Sequence, residues 1–321
     1  MTKNSEELAK EYGIEVYTTS FTPDSLDDYS RTSNRFGLVW DQAWAYTTVT
    51  SVSGQRYAFI RGYEKAVTGM TMSSKLTEDM NMVSPRTFDH LYIGPVYFDL
   101  VEEKEMFRIK SWPARNNFQF DVAVNRMHWQ EENGELDLHW EALGPACRIL
   151  TPGAKIQEDM FYTSEICEVK GTVHGEEVSG FGGFDQCWLP PGIGWTQGKI
   201  YTYVQNYWIP WANRYADGSI EYGVTTFGAG DWSVGFFVEN GKPYISNDNE
   251  INMTWGDYEG DRVPLNADVR HGQHHFKWTA GSRVSKIKGN MKWVDSKMIN
   301  KARKDEPVET FSWNEYRTAQ D

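Results

Sequence analysis

The chain has 321 residues, and its 32 Lys and Arg against 45 Asp and Glu give a formal net charge of −13. An acidic chain without a run of basic residues argues against a nucleic-acid-binding protein, and no segment approaches the roughly 18 uninterrupted apolar residues of a membrane-spanning helix. The polar start has no apolar core of a secretory signal, and three scattered cysteines without a CxxC motif favour a reducing compartment. We therefore expect a soluble, cytoplasmic protein.

Aromatic residues and glycines are abundant, with 14 Trp, 17 Tyr, 16 Phe and 28 Gly. Aromatic and β-branched side chains suit the pleated surface of a sheet, and glycine suits tight turns and bulges. A coiled coil, a helical bundle or a disordered chain would have a different composition. The composition therefore predicts an all-β protein with a large aromatic core.

Period-2 alternation of apolar and polar residues predicts antiparallel strands along most of the chain. The turns Asn133-Gly134 and Asn240-Gly241 join alternating runs and predict hairpins. Two short helices are predicted over residues 5–12 and 295–303, and Asp295 is the expected N-cap of the second. After an early strand bearing Trp40 and Trp44, the predicted strands cover residues 56–63, 96–100, 106–112, 118–124, 136–141, 160–169, 176–188, 199–208, 220–227, 233–238, 242–246, 252–255, 274–280 and 284–293.

The clearest domain boundary lies within residues 189–198, where Pro190-Pro191 cannot continue a central strand. Antiparallel strands on both sides predict two packed β units, each a barrel or a sandwich. The predicted domains are residues 1–190 and 191–321. A single extended all-β domain is the alternative.

The segment SGFGGFDQCW, residues 179–188, is the most informative stretch. Its glycines permit a close backbone approach that a Cβ would block. Asp185 stands among Phe181, Phe184 and Trp188, and desolvation there would raise its carboxyl pKa toward the range of a general acid. The alternative is that Asp185 only accepts backbone hydrogen bonds within a glycine-rich turn.

This segment, read as Gly180-x-Gly182-x-x-Asp185-x-x-Trp188, resembles the G-x-G-x-x-D-H-x-W signature of the AttH-like, lipocalin-related superfamily. That superfamily includes carotenoid 1,2-hydratase (hydroxyneurosporene synthase), kievitone hydratase and fungal decalin-forming cyclases. The resemblance implies two lipocalin-like β-barrels or sandwiches set side by side. The histidine of the signature is replaced by Gln186, whose neutral amide cannot serve as an acid or a base.

The resemblance further implies chemistry on an apolar, polyene- or terpene-like substrate, as a hydratase, isomerase or cyclase, without an organic cofactor or a metal. Protonating an alkene needs a carboxylic acid of raised pKa and aromatic faces that stabilise a cation. On this basis the expected catalytic residues are Asp185, Gln186 and Tyr207. The expected substrate-binding residues are Trp40, Trp44, His139, Trp188, Tyr203 and Trp208, and core packing is the alternative for each aromatic residue.

Three other functions stay open on the sequence. A non-catalytic carrier of an apolar ligand would need the same aromatic cavity and no titratable group. A metal-dependent hydrolase could use at most two residues of the cluster His271, His274 and His275 with a third ligand from His128, His139, Glu158 or Asp185. A carbohydrate-active hydrolase would need two facing carboxylates, for which the candidate pairs are Asp185 with Glu221 and Glu239 with Glu250.

Overall fold

The computed structural model describes residues 15–84, 92–112, 118–131, 134–153, 156–258, 260–288 and 291–317. Strands make up 66% of the structure and there is a single α-helix within the described residues, which confirms the predicted all-β fold. No helix in these ranges is both long and apolar enough to cross a membrane. The helix predicted over residues 5–12 lies outside the described residues.

The first sheet has 13 strands, ten of which close into a barrel. Its strands are β1 (Tyr17–Phe21), β2 (Asn34–Arg35), β3 (Leu38–Ser51), β4 (Arg56–Glu64), β5 (Val67–Leu76), β6 (Gly94–Val101), β7 (Met106–Ser111), β8 (Phe118–Ala123), β9 (Arg126–Glu131), β10 (Leu136–Ala142), β11 (Ala146–Thr151), β12 (Met160–Val173) and β13 (Glu176–Leu189). The barrel follows the order β12-β10-β9-β8-β7-β6-β5-β4-β3-β13, and the long antiparallel pairing of β12 with β13 closes it. Strands β1, β2 and β11 lie outside this ring.

The second sheet has nine strands in the order β17-β16-β15-β14-β22-β21-β20-β19-β18. They are β14 (Tyr207–Arg214), β15 (Ile220–Phe227), β16 (Ser233–Glu239), β17 (Lys242–Ser246), β18 (Asn249–Tyr258), β19 (Asp261–His271), β20 (His274–Lys288), β21 (Met291–Asn300) and β22 (Glu309–Arg317). The sheet is curled. The curl brings β19 close to β15, and His271 on β19 forms a 2.8 Å hydrogen bond with Thr225 on β15. The predicted hairpin at Asn240-Gly241 is present, with the positive φ values of 51° and 73° that a type I′ turn requires.

Short helices are confined to connections between strands. Within the described residues, single-turn 3₁₀ helices cover Leu26–Tyr29, Glu102–Lys104 and Trp195–Gln197. The α-helix α1 (Lys199–Val204) lies in the segment between the two sheets. The carboxylate of Glu158 accepts the backbone N–H of Ile200 at 2.9 Å and so satisfies one of the free donors in the first turn of α1.

Three predicted elements are wrong. The predicted helix over 295–303 is strand β21 for most of its length, because Asp295 is buried in an ion pair with Arg56 of the barrel instead of capping a helix. The predicted strand over 199–208 is α1 followed by the start of β14, so its residues do not share one strand face. The predicted strand over 284–293 spans the end of β20 and the start of β21.

The two sheets pack against each other through a common hydrophobic core. One cluster of buried residues joins Tyr46 and Ile60 of the barrel to Trp208 and Phe311 of the second sheet. Arg56 of the barrel also donates hydrogen bonds of 2.7 and 3.1 Å to the two carboxylate oxygens of Asp295. The space between the sheets is therefore lined by side chains from both.

Candidate active site

A cavity of about 660 Å³ lies between the barrel and the second sheet. The barrel contributes the outer faces of β3, β4, β12 and β13, and the second sheet contributes β14 and β22. Lys65 and Val67, at the turn between β4 and β5, are exposed, so the cavity reaches the surface at this turn. The lining residues are Gln42, Trp44, Tyr46, Gly62, Tyr63, Glu64, Lys65, Ala66, Val67, Tyr162, Asp185, Trp195, Thr196, Tyr201, Gln205, Trp208 and Glu315.

Asp185 of β13 is the carboxylic acid on the barrel side of this cavity, and only 1% of its surface is exposed. The hydroxyl of Tyr162 donates a 3.0 Å hydrogen bond to Oδ2 of Asp185. Ser164 and Tyr46 lie near enough to the carboxyl to lower its pKa, but neither hydroxyl makes a hydrogen bond of regular geometry. Among the described residues, Oδ1 of Asp185 is left with no partner.

Burial controls the protonation of Asp185. Loss of hydration raises its pKa from 3.8 to about 7, against the opposing effect of the three neighbouring hydroxyl groups. The charge of Glu315, on the opposite wall, contributes to the same upward shift of the pKa. Near neutral pH the carboxyl can therefore both hold and release a proton, which is the property of a general acid.

The glycines of the SGFGGFDQCW segment make room for this arrangement. A Cβ at Gly183 would collide with the phenol ring of Tyr46, and one at Gly182 would collide with the backbone of the same residue. Gly183 lies opposite Tyr46 in the register of β13 and β3. The glycine pattern therefore allows Tyr46 to lie across β13 and bring its hydroxyl toward Asp185.

Four aromatic side chains form the apolar walls around the acid. Tyr162 stacks on Trp44 at 6.0 Å and meets Trp208 edge-on at 5.0 Å between ring centroids. Trp195 packs against Trp44 at 6.0 Å. The negative electrostatic potential over aromatic ring faces of this kind stabilises a developing cation.

Glu315 of β22 is a second buried acid in the cavity, and the sequence analysis missed it. Its carboxylate accepts 3.0 Å hydrogen bonds from Nε1 of Trp313 and from Nε2 of Gln205. Burial nevertheless raises its pKa from 4.5 to about 7. A sequence signal exists, since the alternation of Phe311, Trp313 and Glu315 places a carboxylate in line with apolar residues of a buried strand face.

Two of the expected substrate-binding residues, Trp44 and Trp208, line the cavity with Asp185. The expected catalytic residue Gln186 lies elsewhere, and so do the expected substrate-binding residues Trp188 and Trp40. Gln186 is buried on the opposite face of β13, where its side-chain amide donates to the carbonyl oxygen of Asp28 at 3.0 Å. Trp188 is fully buried and packs on Phe161 at 5.3 Å. Trp40 packs edge-on against Phe98 at 6.0 Å.

The remaining expected residues also lie outside this cavity lining. Tyr203 is buried on the inner face of α1, and Tyr207 packs against Phe227 and Trp255 in the second sheet. His139 is on the outer surface of the barrel, with 64% of its side chain exposed.

The histidine cluster and the carboxylate pairs considered for a hydrolase are not arranged as a metal site or a pair of facing carboxylates requires. Both ring nitrogens of His271 are engaged at 2.8 Å, by Thr225 and by Asn249, and burial lowers its pKa to about 3. Of the proposed carboxylate pairs, Asp185 is at the cavity, whereas Glu221 is buried in the second sheet and bonded to Tyr215. Glu250 is exposed and paired with Arg270.

The protein thus consists of a β-barrel and a curled β-sheet that enclose an aromatic cavity between them. No family model matches the sequence, and no curated protein matches it. Solved structures do match it. An AttH-like protein from Nitrosomonas europaea aligns with a TM-score of 0.55 and 11% identity, covering 92% of this chain and 97% of the other.

Two further solved structures match over similar lengths. Kievitone hydratase from Nectria haematococca has a TM-score of 0.45 and 12% identity, over 92% of this chain and 93% of its own. CghA, solved with Sch210972, has a TM-score of 0.48 and 11% identity, over 93% and 94% of the two chains. The match to the AttH-like protein, with its TM-score of 0.55, confirms the expected resemblance at the level of the fold.

Proposed function

We propose that this protein is an enzyme that protonates a small or medium hydrophobic substrate, of the terpenoid, polyketide or aromatic kind, in the cavity between its two sheets. The observation that carries the proposal is Asp185, a buried carboxyl of pKa about 7 with an unpartnered oxygen in an aromatic cavity. Buried polar atoms are nearly always hydrogen-bonded in folded proteins. An unpartnered one in a cavity therefore favours a reacting or ligand-binding role over a structural one.

In the proposed reaction the neutral carboxyl of Asp185 gives its proton to one carbon of a substrate double bond. The π electrons form the new C–H bond, and a cation develops on the neighbouring carbon between the faces of Trp44 and Trp208. Tyr162, hydrogen-bonded to Oδ2, stabilises the carboxylate that remains. Addition of water with loss of its proton would complete a hydration, attack by a second double bond a cyclisation, and loss of a different proton an isomerisation.

No organic cofactor or metal takes part in the proposed mechanism. The names of the matching structures include a hydratase, and the proposal places this chain in related chemistry of secondary metabolism. Three buried cysteines without disulfides favour a cytoplasmic location.

The test is native mass spectrometry of freshly purified protein, with denaturing extraction of any bound compound, followed by incubation of that compound with wild type and with Asp185→Asn. The proposal predicts a neutral terpenoid, polyketide or aromatic compound that wild type converts and the variant binds but converts at least about 100-fold more slowly. Binding without conversion by wild type would make the protein a carrier. Trp188→Phe, altered away from the cavity, is the matched control and should retain conversion.

A further inference from the structure

A cluster of two histidines and one aspartate lies on the outer surface of the barrel, apart from the Asp185 cavity. His128 of β9 and His139 of β10 are direct partners in the register of the two strands. Their rings stack at 4.0 Å between centroids with 14° between the planes. Asp137, two residues before His139, has its side chain on the same face of β10.

The ligand atoms of the three side chains lie close together. Oδ1 of Asp137 lies 2.7 Å from Nε2 of His128 and 3.3 Å from Nε2 of His139. All three ligand atoms lie within 4.8 Å of one another. Ligands that each bind one zinc ion at about 2.0–2.2 Å lie about 3.0–3.5 Å apart, so small side-chain rotations bring these atoms to coordination distance.

A fourth residue orients the aspartate. Nε2 of Gln130 donates a 3.0 Å hydrogen bond to Oδ2 of Asp137, which leaves Oδ1 toward the two imidazoles. A hydrogen bond to the second oxygen of a ligating carboxylate is a common outer-shell interaction in metal sites. Lys170, which pairs with His139 in the strand register, forms an ion pair with Glu168 at 3.0 Å, so its charge is partly offset beside the site.

The surroundings leave room for additional ligands on an ion. The two histidines line a second surface cavity of about 460 Å³, together with Asp121, Glu141 and Lys170. The side chains of His128 and Asp137 are 27% and 36% exposed, so an ion can enter from solvent. Cysteines do not compete for it, since all three thiols are buried.

We propose that His128, Asp137 and His139 form a binding site for a divalent late first-row transition metal ion, with Zn²⁺ as its natural occupant. Imidazole nitrogens with one carboxylate oxygen form a ligand set that suits these ions. The three protein ligands leave at least one coordination position to water. The proposed site departs from the sequence-based expectation of no metal, and it shares no lining residue with the Asp185 cavity.

The test is titration of the tag-free protein with Zn²⁺ by calorimetry and with Co²⁺ by visible absorption. Wild type should bind one equivalent of each ion, and bound Co²⁺ should show ligand-field bands of a mixed nitrogen and oxygen site. His139→Ala and Asp137→Asn should each weaken binding by at least about 10-fold, and Gln130→Ala by about 10-fold. The control His275→Ala changes an exposed histidine elsewhere and should leave the affinity unchanged.

Circular dichroism and thermal unfolding of each variant establish that it is folded before the affinities are compared. The altered side chains are partly or largely exposed, so the melting temperature should change little. Equal affinity in wild type and in the double variant His128→Ala/His139→Ala would overturn the proposal. Absence of saturable binding by wild type, or an equal loss of affinity in His275→Ala, would overturn it as well.

Discussion

The hydroxyl of Tyr162 donates to Oδ2 of Asp185 at 3.0 Å, and the two residues come from the strands β12 and β13 that close the barrel. Because Oδ2 accepts this hydrogen bond, Oδ1 is the carboxyl oxygen left for a ligand. That oxygen has no protein partner among the described residues. The pair thus orients one buried acid and leaves its second oxygen available to a ligand.

The first prediction concerns stability and pH. Burial raises the pKa of Asp185 from 3.8 to about 7, so between these values the folded protein holds more protons than the unfolded chain. The stabilising contribution of the protonated acid is complete below about pH 4 and is lost as pH rises to about 7. Asp185→Asn does not titrate, so its stability relative to wild type should increase across this range, by at most about 1.4 kcal/mol per pH unit. Urea unfolding of both proteins measures this, and parallel pH curves would contradict it.

The second prediction separates the roles of the two acids. The charge of Glu315 raises the pKa of Asp185, so Glu315→Gln should lower that pKa. Because the general acid must be protonated, the loss of activity at high pH should move to lower pH by up to about one unit. Turnover at the optimum pH should persist, because the glutamine side chain can still accept the hydrogen bond from Nε1 of Trp313. A pH–rate profile tests this, and complete inactivity of a folded Glu315→Gln protein would assign the proton donation to Glu315.

The third prediction compares two tryptophans. Trp208 lines the cavity and packs on Tyr162, whereas Trp188 is fully buried against Phe161. Trp208→Leu should weaken binding of the neutral probe N-phenyl-1-naphthylamine by about 5- to 10-fold, since it removes one aromatic wall. Trp188→Leu should leave binding unchanged and reduce the free energy of unfolding by about 3 kcal/mol. Fluorescence titration and urea unfolding give both quantities, and the opposite pattern would place the ligand inside the barrel.

The fourth prediction concerns His271. Burial lowers its pKa from 6.5 to about 3, so the unfolded chain gains a proton below about pH 6.5 that the folded protein does not accept until about pH 3. The protein should therefore lose stability as pH falls through this range. His271→Gln should be less stable than wild type at neutral pH, and the difference should shrink on acidification. Thermal unfolding at several pH values checks this, and a constant difference would mean that His271 does not titrate in this way.

Local sequence patterns predicted much of the fold. Alternation and Asn-Gly turns act over a few residues, and they located strands such as β15 and the hairpin of β16 and β17. The errors occurred where tertiary contacts override local preference. Asp295 was expected at a helix N-cap, but its buried partner Arg56 lies more than 200 residues away in the sequence. The helix α1 was missed although Ile200, Tyr203 and Val204 have helical spacing and all three are buried.

The candidate site was predictable only where local sequence patterns mark its residues. Asp185 stands out locally, because glycines and aromatic residues surround it in the sequence. Glu315 joins it only after the two sheets pack, and no local pattern specifies that contact. Gln186 and Tyr207 were predicted to act with Asp185, but adjacent residues of a strand point to opposite faces, and the strand expected to carry Tyr207 beside Tyr203 is interrupted by α1.

In the proposed reaction Asp185 transfers a proton to a carbon atom of the substrate. The most direct measurement is to incubate the co-purified compound with wild type and with Asp185→Asn in D₂O and to analyse the product by mass spectrometry and NMR. We expect one deuterium bound to carbon in the wild-type product and no such product with the folded variant. Equal deuterium incorporation by both proteins, or return of the compound unchanged by wild type, would contradict it.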